Sequence, residues 1–325
     1  MRKIAFFDTK PYDRIFFDKL GKNYEIVYFE EKLNKHTAKM TEGFDGVCAF
    51  VNSDIDALCI DRMVERGVKV LAMRCAGFSN IDLNAAKDKI TILRVPAYSP
   101  HAVAEHALAL LLALNRKIYR AYIRTRDFNF NISGLTGIDL YGKTAGIIGT
   151  GKIGKTFIDI CKGLGMKILA FDPYPDLTSG IEYVTLDELF SNSDVISLHC
   201  PLTEDTRHII NSHSFEIMKD GAFVINTSRG ALIDSDALLE ALSSGKLRGA
   251  ALDVYEEEAD IFYEDMSDKG INDEILALLM SKPNVLITSH QAFLTEEALE
   301  NIAEVTIKNF DDFFSGKKAE NLVCT

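Results

Sequence analysis

The chain has 325 residues, 47% hydrophobic and 26% charged, the composition of a globular protein long enough for two domains of ordinary size. Its 36 Lys and Arg against 48 Asp and Glu give a net charge of −12, which argues against nucleic acid or an anionic membrane as the main partner, since both need a basic surface. A small anionic substrate stays open, because it responds to local charge. The N-terminus carries only four apolar residues before Asp8, too few for a signal peptide. The most apolar stretch, 102–114, contains Glu105 and His106 and falls short of the roughly 20 residues of a membrane span. A cytoplasmic protein is therefore expected. The six cysteines, Cys48, Cys59, Cys75, Cys161, Cys200 and Cys324, show neither a CxxC pair nor metal-ligand spacing, so reduced structural thiols and no metal are expected.

Residues 1–100 alternate short apolar runs with amphipathic segments. Strands are predicted at 4–7, 25–29, 46–50, 69–73 and 90–95, with helices such as 12–20 and 55–66 between them. Strands alternating with helices imply βαβ units and a parallel sheet. Pro96 and Pro100 interrupt the pattern, and 101–116 follows as a helix rich in Ala and Leu. Its apolar residues exceed one stripe, so burial on more than one side is expected. The reading adopted here is a homo-oligomer, dimer or tetramer, assembled through this helix. His101 and His106 are five residues apart and fall on different faces, which favours structural roles over ligation.

From Lys143 the alternation resumes. Strands are predicted at 144–148, 167–171, 195–199, 222–226, 249–253 and 285–288, and helices at 152–164, 186–191, 212–218, 235–243 and 272–280. Between the first strand and the first helix lies GTGKIG, comprising Gly149, Gly151, Lys152, Ile153 and Gly154. Gly149 allows a sharp reversal, Gly151 lets the backbone approach a pyrophosphate, and Gly154 lets the helix pack closely on the strand. Helix N–H groups and the helix dipole then favour the anion. The next strand ends at Asp172, 18 residues beyond Gly154, where an acid binds ribose hydroxyls. That acid repels a 2′-phosphate and no Arg follows closely, so NAD is preferred to NADP. A long helix, 295–315, opened by a Thr cap, closes the plan and can return the chain to the first domain.

In a doubly wound sheet ligands lie beyond the carboxyl ends of the strands. There the chain presents Thr227-Ser228-Arg229, then Asp253 through Glu258, then Ser289-His290-Gln291. These side chains suit reversible hydride transfer to a 2-oxo acid. His290 is a proton donor suited to both directions near neutrality. A carboxylate on its other ring nitrogen fixes the tautomer, and Arg229 forks onto the substrate carboxylate.

The stretches MRCAGFSNIDL (73–83), VPAYSPHAVAEHA (95–107), GTGKIG (149–154), HCPLT (199–203), INTSRG (225–230), ALDVYEEEADIFYED (251–265) and SHQAF (289–293) resemble the D-2-hydroxyacid dehydrogenase family, its lactate-forming members most closely. The resemblance covers both halves of the chain. It implies two doubly wound parallel-sheet domains, a Rossmann NAD-binding domain at 101–298 and a flavodoxin-like substrate domain made of 1–100 plus 299–325, with the active site in the cleft between them. It carries Arg229, Glu258 and His290 over as the catalytic set, 29 and 32 residues apart, and that register selects Glu258 among its neighbours. It implies substrate contacts from the N–H groups of Ala76 and Gly77 and from Tyr98, with Phe50 and Phe293 enclosing a small side chain. Cys200, Pro201, Asn211, Thr227, Ser228 and Asp253 are expected to line the cofactor, and His199 either supports the same wall or touches the cofactor. The implied reaction is NADH-dependent reduction of pyruvate to D-lactate. A dehydrogenase for a bulkier 2-oxo acid or hydroxypyruvate is the alternative within the class, and an NAD-sensing interaction protein the alternative outside it.

Overall fold

The computed structural model describes residues 1–324, and of Asp260 the backbone alone. The chain divides into two units, Met1–Ser99 with Phe293–Thr325 and Pro100–Ala292. The return to the first unit comes at Phe293, six residues ahead of the expected 299.

The first unit contains β1 (Arg2–Phe6), α1 (Pro11–Leu20), β2 (Tyr24–Tyr28), β3 (Gly46–Ala49), α2 (Ala57–Glu65), β4 (Val70–Met73), α3 (Leu83–Ala86) and β5 (Thr91–Leu93). The second contains α4 (Pro100–Arg116), α5 (Ile118–Arg126), β6 (Thr144–Ile148), α6 (Lys152–Gly163), β7 (Lys167–Phe171), α7 (Leu186–Asn192), β8 (Val195–Leu198), α8 (Ser212–Ile217), β9 (Ala222–Asn226), α9 (Ser235–Ser243), β10 (Leu247–Leu252), α10 (Glu274–Ser281) and β11 (Val285–Ile287). The first unit is completed by α11 (Glu296–Phe314) and β12 (Leu322–Cys324).

The first sheet has the order β12-β5-β4-β3-β1-β2, parallel except for β12, which pairs antiparallel with β5. That edge strand was not foreseen: Leu322 to Cys324 is too short to announce itself in sequence. Alternation along the strands separates two cores. Ala5, Val47, Leu71 and Ile92 meet Ile60 and Met63 of α2 on one face, while Ile4, Phe6, Val70 and Leu93 meet Phe17 of α1 and Ala303, Ile307 and Phe310 of α11 on the other. Covered on both faces, the strands read as continuous apolar runs.

The second sheet has the order β11-β10-β9-β8-β6-β7 and is wholly parallel. A bridge between Ala170 and Tyr183 adds a vestigial strand beyond β7. The order reverses at β6, so the turn after β6 sits at the topological switch point, where dinucleotides bind in such sheets.

Much of the apolar surplus of α4 is spent inside its own unit. Ala104, Ala107, Leu110, Leu111 and Leu114 are buried in the core of their own unit with Phe157, Ile158 and Cys161 of α6. A run of exposed large apolar side chains lies just after it: Ile118, Tyr122 and Ile123 on α5, then Phe128, Phe130, Ile132 and Tyr141. No helix among the described residues is long and apolar enough to cross a membrane. Burial pushes the thiols of Cys48, Cys59 and Cys161 up to about 12.

Candidate active site

Three neighbouring strands of the second sheet deliver the candidate catalytic side chains. Arg229 follows β9, Glu258 follows β10 and His290 follows β11. Backbone pairing continues past the strand ends: Asp253 N–H donates to Asn226 C=O at 2.8 Å, and His290 N–H to Asp253 C=O at 2.7 Å. The loops therefore start in fixed register with one another.

His290 Nδ1 lies 2.7 Å from Glu258 Oε1, and both side chains are about three-quarters enclosed. Glu258 is itself held by the Tyr255 N–H, which donates to Oε2 at 2.9 Å. A carboxylate on Nδ1 fixes the proton there and leaves Nε2 for chemistry. His290 has φ +49°, a left-handed conformation that a side-chain-bearing residue holds only when its surroundings impose it. The restraint comes from both sides, since its N–H is bound as above and its C=O accepts the Tyr263 hydroxyl at 2.8 Å. The Tyr263 ring also sits 6.0 Å from the imidazole. Tyr263 was quoted within IFYED but given no role; only the folded loop brings it to His290.

Arg229 is exposed, and its Nη1 donates to the Ser228 C=O at 2.7 Å. Its turn is braced by Asn226, which accepts from Ser228 N–H at 3.0 Å and donates to Arg229 C=O at 2.8 Å. Gly230 is needed for contact with the glutamate loop: a Cβ there would stand 2.0 Å from the Tyr255 carbonyl carbon. Arg loop and glutamate loop thus touch through backbone.

Asp253, expected at the cofactor, also has a dense set of partners within the protein. It is fully buried, accepts from Thr288 Oγ1 at 2.6 Å and from the N–H groups of Gln291 at 2.9 Å and Ala292 at 2.8 Å, and lies 3.3 Å from His106 Nε2. Burial alone would raise its pKa; the bonds from His106, Thr288, Gln291 and Ala292 outweigh that and hold it below the usual carboxylate range. It clamps the His290 loop from inside. Asn211 is likewise occupied, capping α8 through Ser214 N–H and donating to His208 C=O at 2.9 Å.

The glycine turn fits a dinucleotide. Gly149 has φ +94°, and a Cβ on Gly154 would lie 2.0 Å from the Gly149 carbonyl oxygen, so the helix start and the strand end are in contact. A Cβ on Gly151 would meet nothing within 4 Å, which leaves that face open. Helices α2, α7, α8, α9, α10 and α11 are capped by Asp56, Thr185, Asn211, Asp234, Asp273 and Thr295, whereas α6 starts at Gly151 with no side-chain cap. Its first N–H groups, at Lys152 and Ile153, are left for an anion.

Asp172 accepts from Thr150 N–H at 2.7 Å and Oγ1 at 2.9 Å, and from Tyr174 N–H at 2.9 Å. Burial opposes ionisation, but these bonds hold the carboxyl below its ordinary range. Acceptor capacity remains for hydroxyl donors. Ser228 Oγ donates to Cys200 C=O at 2.6 Å, tying the ends of β8 and β9, with Pro201 next along the chain. The Cys200 thiol is raised to about 11 by burial. The Thr227 hydroxyl is buried with no hydrogen-bond partner among the described residues, an orphan that a bound polar group would satisfy. His199 has Nε2 2.9 Å from Ser197 Oγ and its ring against Phe157, and burial pushes its pKa down to about 3. Its position on the Phe157 side favours support over contact.

In the first unit, Phe50 and Phe293 are both buried with ring centroids 6.2 Å apart, and Tyr98 meets Phe293 edge-on, also at 6.2 Å. Ala76 C=O accepts Arg94 Nη1 at 3.0 Å and Gly77 C=O is 3.3 Å from Cys75 Sγ, which orients the 75–77 turn.

Comparison with known proteins agrees with this chemistry. Residues 108–292 match the model of the D-isomer specific 2-hydroxyacid dehydrogenase NAD binding domain. The chain is 50% identical to D-lactate dehydrogenase of Escherichia coli over 98% of its own length and 99% of that protein. Its fold is similar to that of the pyruvate reductase of Chlamydomonas reinhardtii, with TM-score 0.95, 42% identity and coverage of 99% and 98% of the two chains. It is also similar to the NAD+ complex of D-lactate dehydrogenase from Lactobacillus jensenii, with TM-score 0.84, 31% identity and coverage of 99% and 100%.

Two outcomes follow from this geometry. Gly154→Ala drives a methyl into the Gly149 carbonyl and should weaken NADH binding at least tenfold by fluorescence titration; unchanged affinity would separate the turn from the cofactor. His199 stays neutral in the fold, so the unfolded chain binds an extra proton between about pH 6.5 and the folded value of about 3, and stability drops as pH falls through that window. His199→Gln should flatten this slope in urea titrations run at pH 7 and pH 4.5.

Proposed function

The chain belongs to the D-isomer-specific 2-hydroxyacid dehydrogenase family of NAD-dependent oxidoreductases, and from that premise we propose that its substrate pair is pyruvate and D-lactate. The observation that carries the catalytic reading is the 2.7 Å pair between His290 Nδ1 and Glu258, which leaves Nε2 as the proton-transfer atom.

In this reading the N–H groups at Gly151, Lys152 and Ile153 take the pyrophosphate, Asp172 the ribose hydroxyls, and Cys200, Pro201, Thr227 and Ser228 line the remainder. Bound NADH supplies the hydride for C2 of the 2-oxo acid. His290 delivers the proton from Nε2 to the carbonyl oxygen and takes it back in the reverse direction. Glu258 stabilises the imidazolium and keeps the ring oriented. Arg229 offers a bidentate fork to the substrate carboxylate, and its charge polarises the carbonyl. Asp253 acts indirectly, by fixing the turn that carries His290.

For the first unit we assign the N–H groups of Ala76 and Gly77 and the hydroxyl of Tyr98 to the carboxylate, and Phe50 and Phe293 to the substrate methyl. Two buried phenyl rings in contact suit a methyl better than a branched chain. We further assign homo-oligomer formation to the exposed apolar residues of 118–141, in place of α4.

Purified protein should oxidise NADH with pyruvate at a higher kcat/KM than with 2-oxoisocaproate; the opposite preference would overturn the lactate assignment. His290→Gln should lower kcat by about 10²- to 10⁴-fold, and near-normal turnover would remove His290 as the acid. Light scattering should give a multiple of the 36.2 kDa chain mass. Phe128→Glu with Ile132→Glu should shift it toward the monomer, and a monomeric wild type would refute the assembly.

A further inference from the structure

Arg74 stands at the carboxyl end of β4, directly before the turn of Cys75, Ala76 and Gly77. Its side chain is 2% exposed, yet nothing in the reaction above uses it. In its own plane the guanidinium is fully engaged. Nε lies 3.2 Å from Oδ1 of Asp13 and Nη2 3.2 Å from Oδ2, while Nη1 donates to Phe7 C=O at 3.0 Å and Nη2 also to Asp8 C=O. Burial would lower its pKa, but Asp13 together with Cys48, Asp8 and Tyr12 outweighs this and the pKa is raised, so the cation persists across the assay range.

The same guanidinium also lies over two aromatic rings. Its Cζ is 4.6 Å from the Phe6 centroid and 4.7 Å from the Phe50 centroid. Phe6 is anchored in β1, so Phe50 is the ring whose placement this contact decides. Phe50 in turn meets Phe293, which meets Tyr98. Replacing a buried ion pair with apolar side chains is often neutral or stabilising, so stability is a weak reason for this one. A planar cation pinned along its edges can fix the plane and depth of a neighbouring ring, which a flexible apolar side chain cannot do.

We propose that Arg74 is a positioning residue for substrate selection: its guanidinium fixes the ring of Phe50 against Phe293 and thereby sets the largest 2-oxo acid side chain the enzyme accepts. The inference rests on Phe50 as a substrate contact. Asp13 belongs to the same device, as the anion that orients the fork.

The test measures kcat/KM for pyruvate and phenylpyruvate with saturating NADH. Arg74→Lys keeps the charge and loses the planar fork. The ratio of pyruvate to phenylpyruvate should fall about fivefold, the factor that matches a cation–π contact of about 1 kcal/mol, with the change in KM and with the KM for NADH unmoved. A merely structural role would lower the melting temperature and leave the ratio alone. If Arg74→Lys does not fold, Arg74→Met with Asp13→Leu removes both charges together and should give the same loss of selectivity. Phe50→Ala separates the two levels of the argument. Relaxed selectivity in Phe50→Ala with a wild-type ratio in the Arg74 variants overturns the positioning role alone; unchanged selectivity in Phe50→Ala overturns the substrate contact on which it rests.

Discussion

One buried carboxylate organises the catalytic edge. Asp253 has no exposure, and its two oxygens accept from a threonine hydroxyl and two backbone N–H groups, with a histidine at 3.3 Å. Leaving such an anion without partners would cost several kcal/mol, so the partners are forced to gather around it. Those partners are Thr288, Gln291 and Ala292, the residues flanking His290. The imidazole is therefore placed by a group that never touches it, and its left-handed backbone is tolerated because both ends of the turn are tied down. His106, far away in the chain, reaches the cluster only because α4 is drawn into the core of the second unit.

The same logic of satisfied and unsatisfied groups marks the cofactor side. Seven helices close their first turn with a capping side chain, and α6 does not. A bare helix start of 12 residues presents partial positive charge to whatever binds there. The buried, unbonded hydroxyl of Thr227 is a second unsatisfied group along the expected wall. A glycine pattern alone cannot distinguish a phosphate cradle from an ordinary turn; an uncapped helix start at the switch point of the sheet adds weight to the cradle.

Much of this was legible in the sequence, for definable reasons. Strands buried on both faces read as apolar runs, helices carry their own periodicity, and the glycines at 149 and 154 answer to strict steric demands. Arg229, the glutamate run and His290 could be placed because each follows a strand, and the family resemblance selected Glu258 from that run. What escaped was decided by partners remote in the chain. Asp253 braces the His290 loop with its oxygens, and Asn211 caps α8. Polarity alone does not say whether a side chain faces a ligand or a loop. Much of the apolar surplus of α4 is spent against α6. Tyr263, Asn226 and Arg74 had no signal, since each matters through a carbonyl or a ring that only folding brings near.

The first unit is assembled from two pieces, because β12 pairs with β5 and α11 covers one face of the sheet formed by the opening residues. Between those pieces lies the whole of Pro100–Ala292. During synthesis the opening strands therefore leave the ribosome with one apolar face covered only by α1, and they wait for nearly two hundred further residues before α11 exists to complete the cover. At about 5–20 residues per second that interval is on the order of ten seconds or more. The second unit, continuous in the chain, has everything it needs to fold first. Order of birth and order of completion are thus reversed, and the opening third of the chain is where a chaperone has the most to shield.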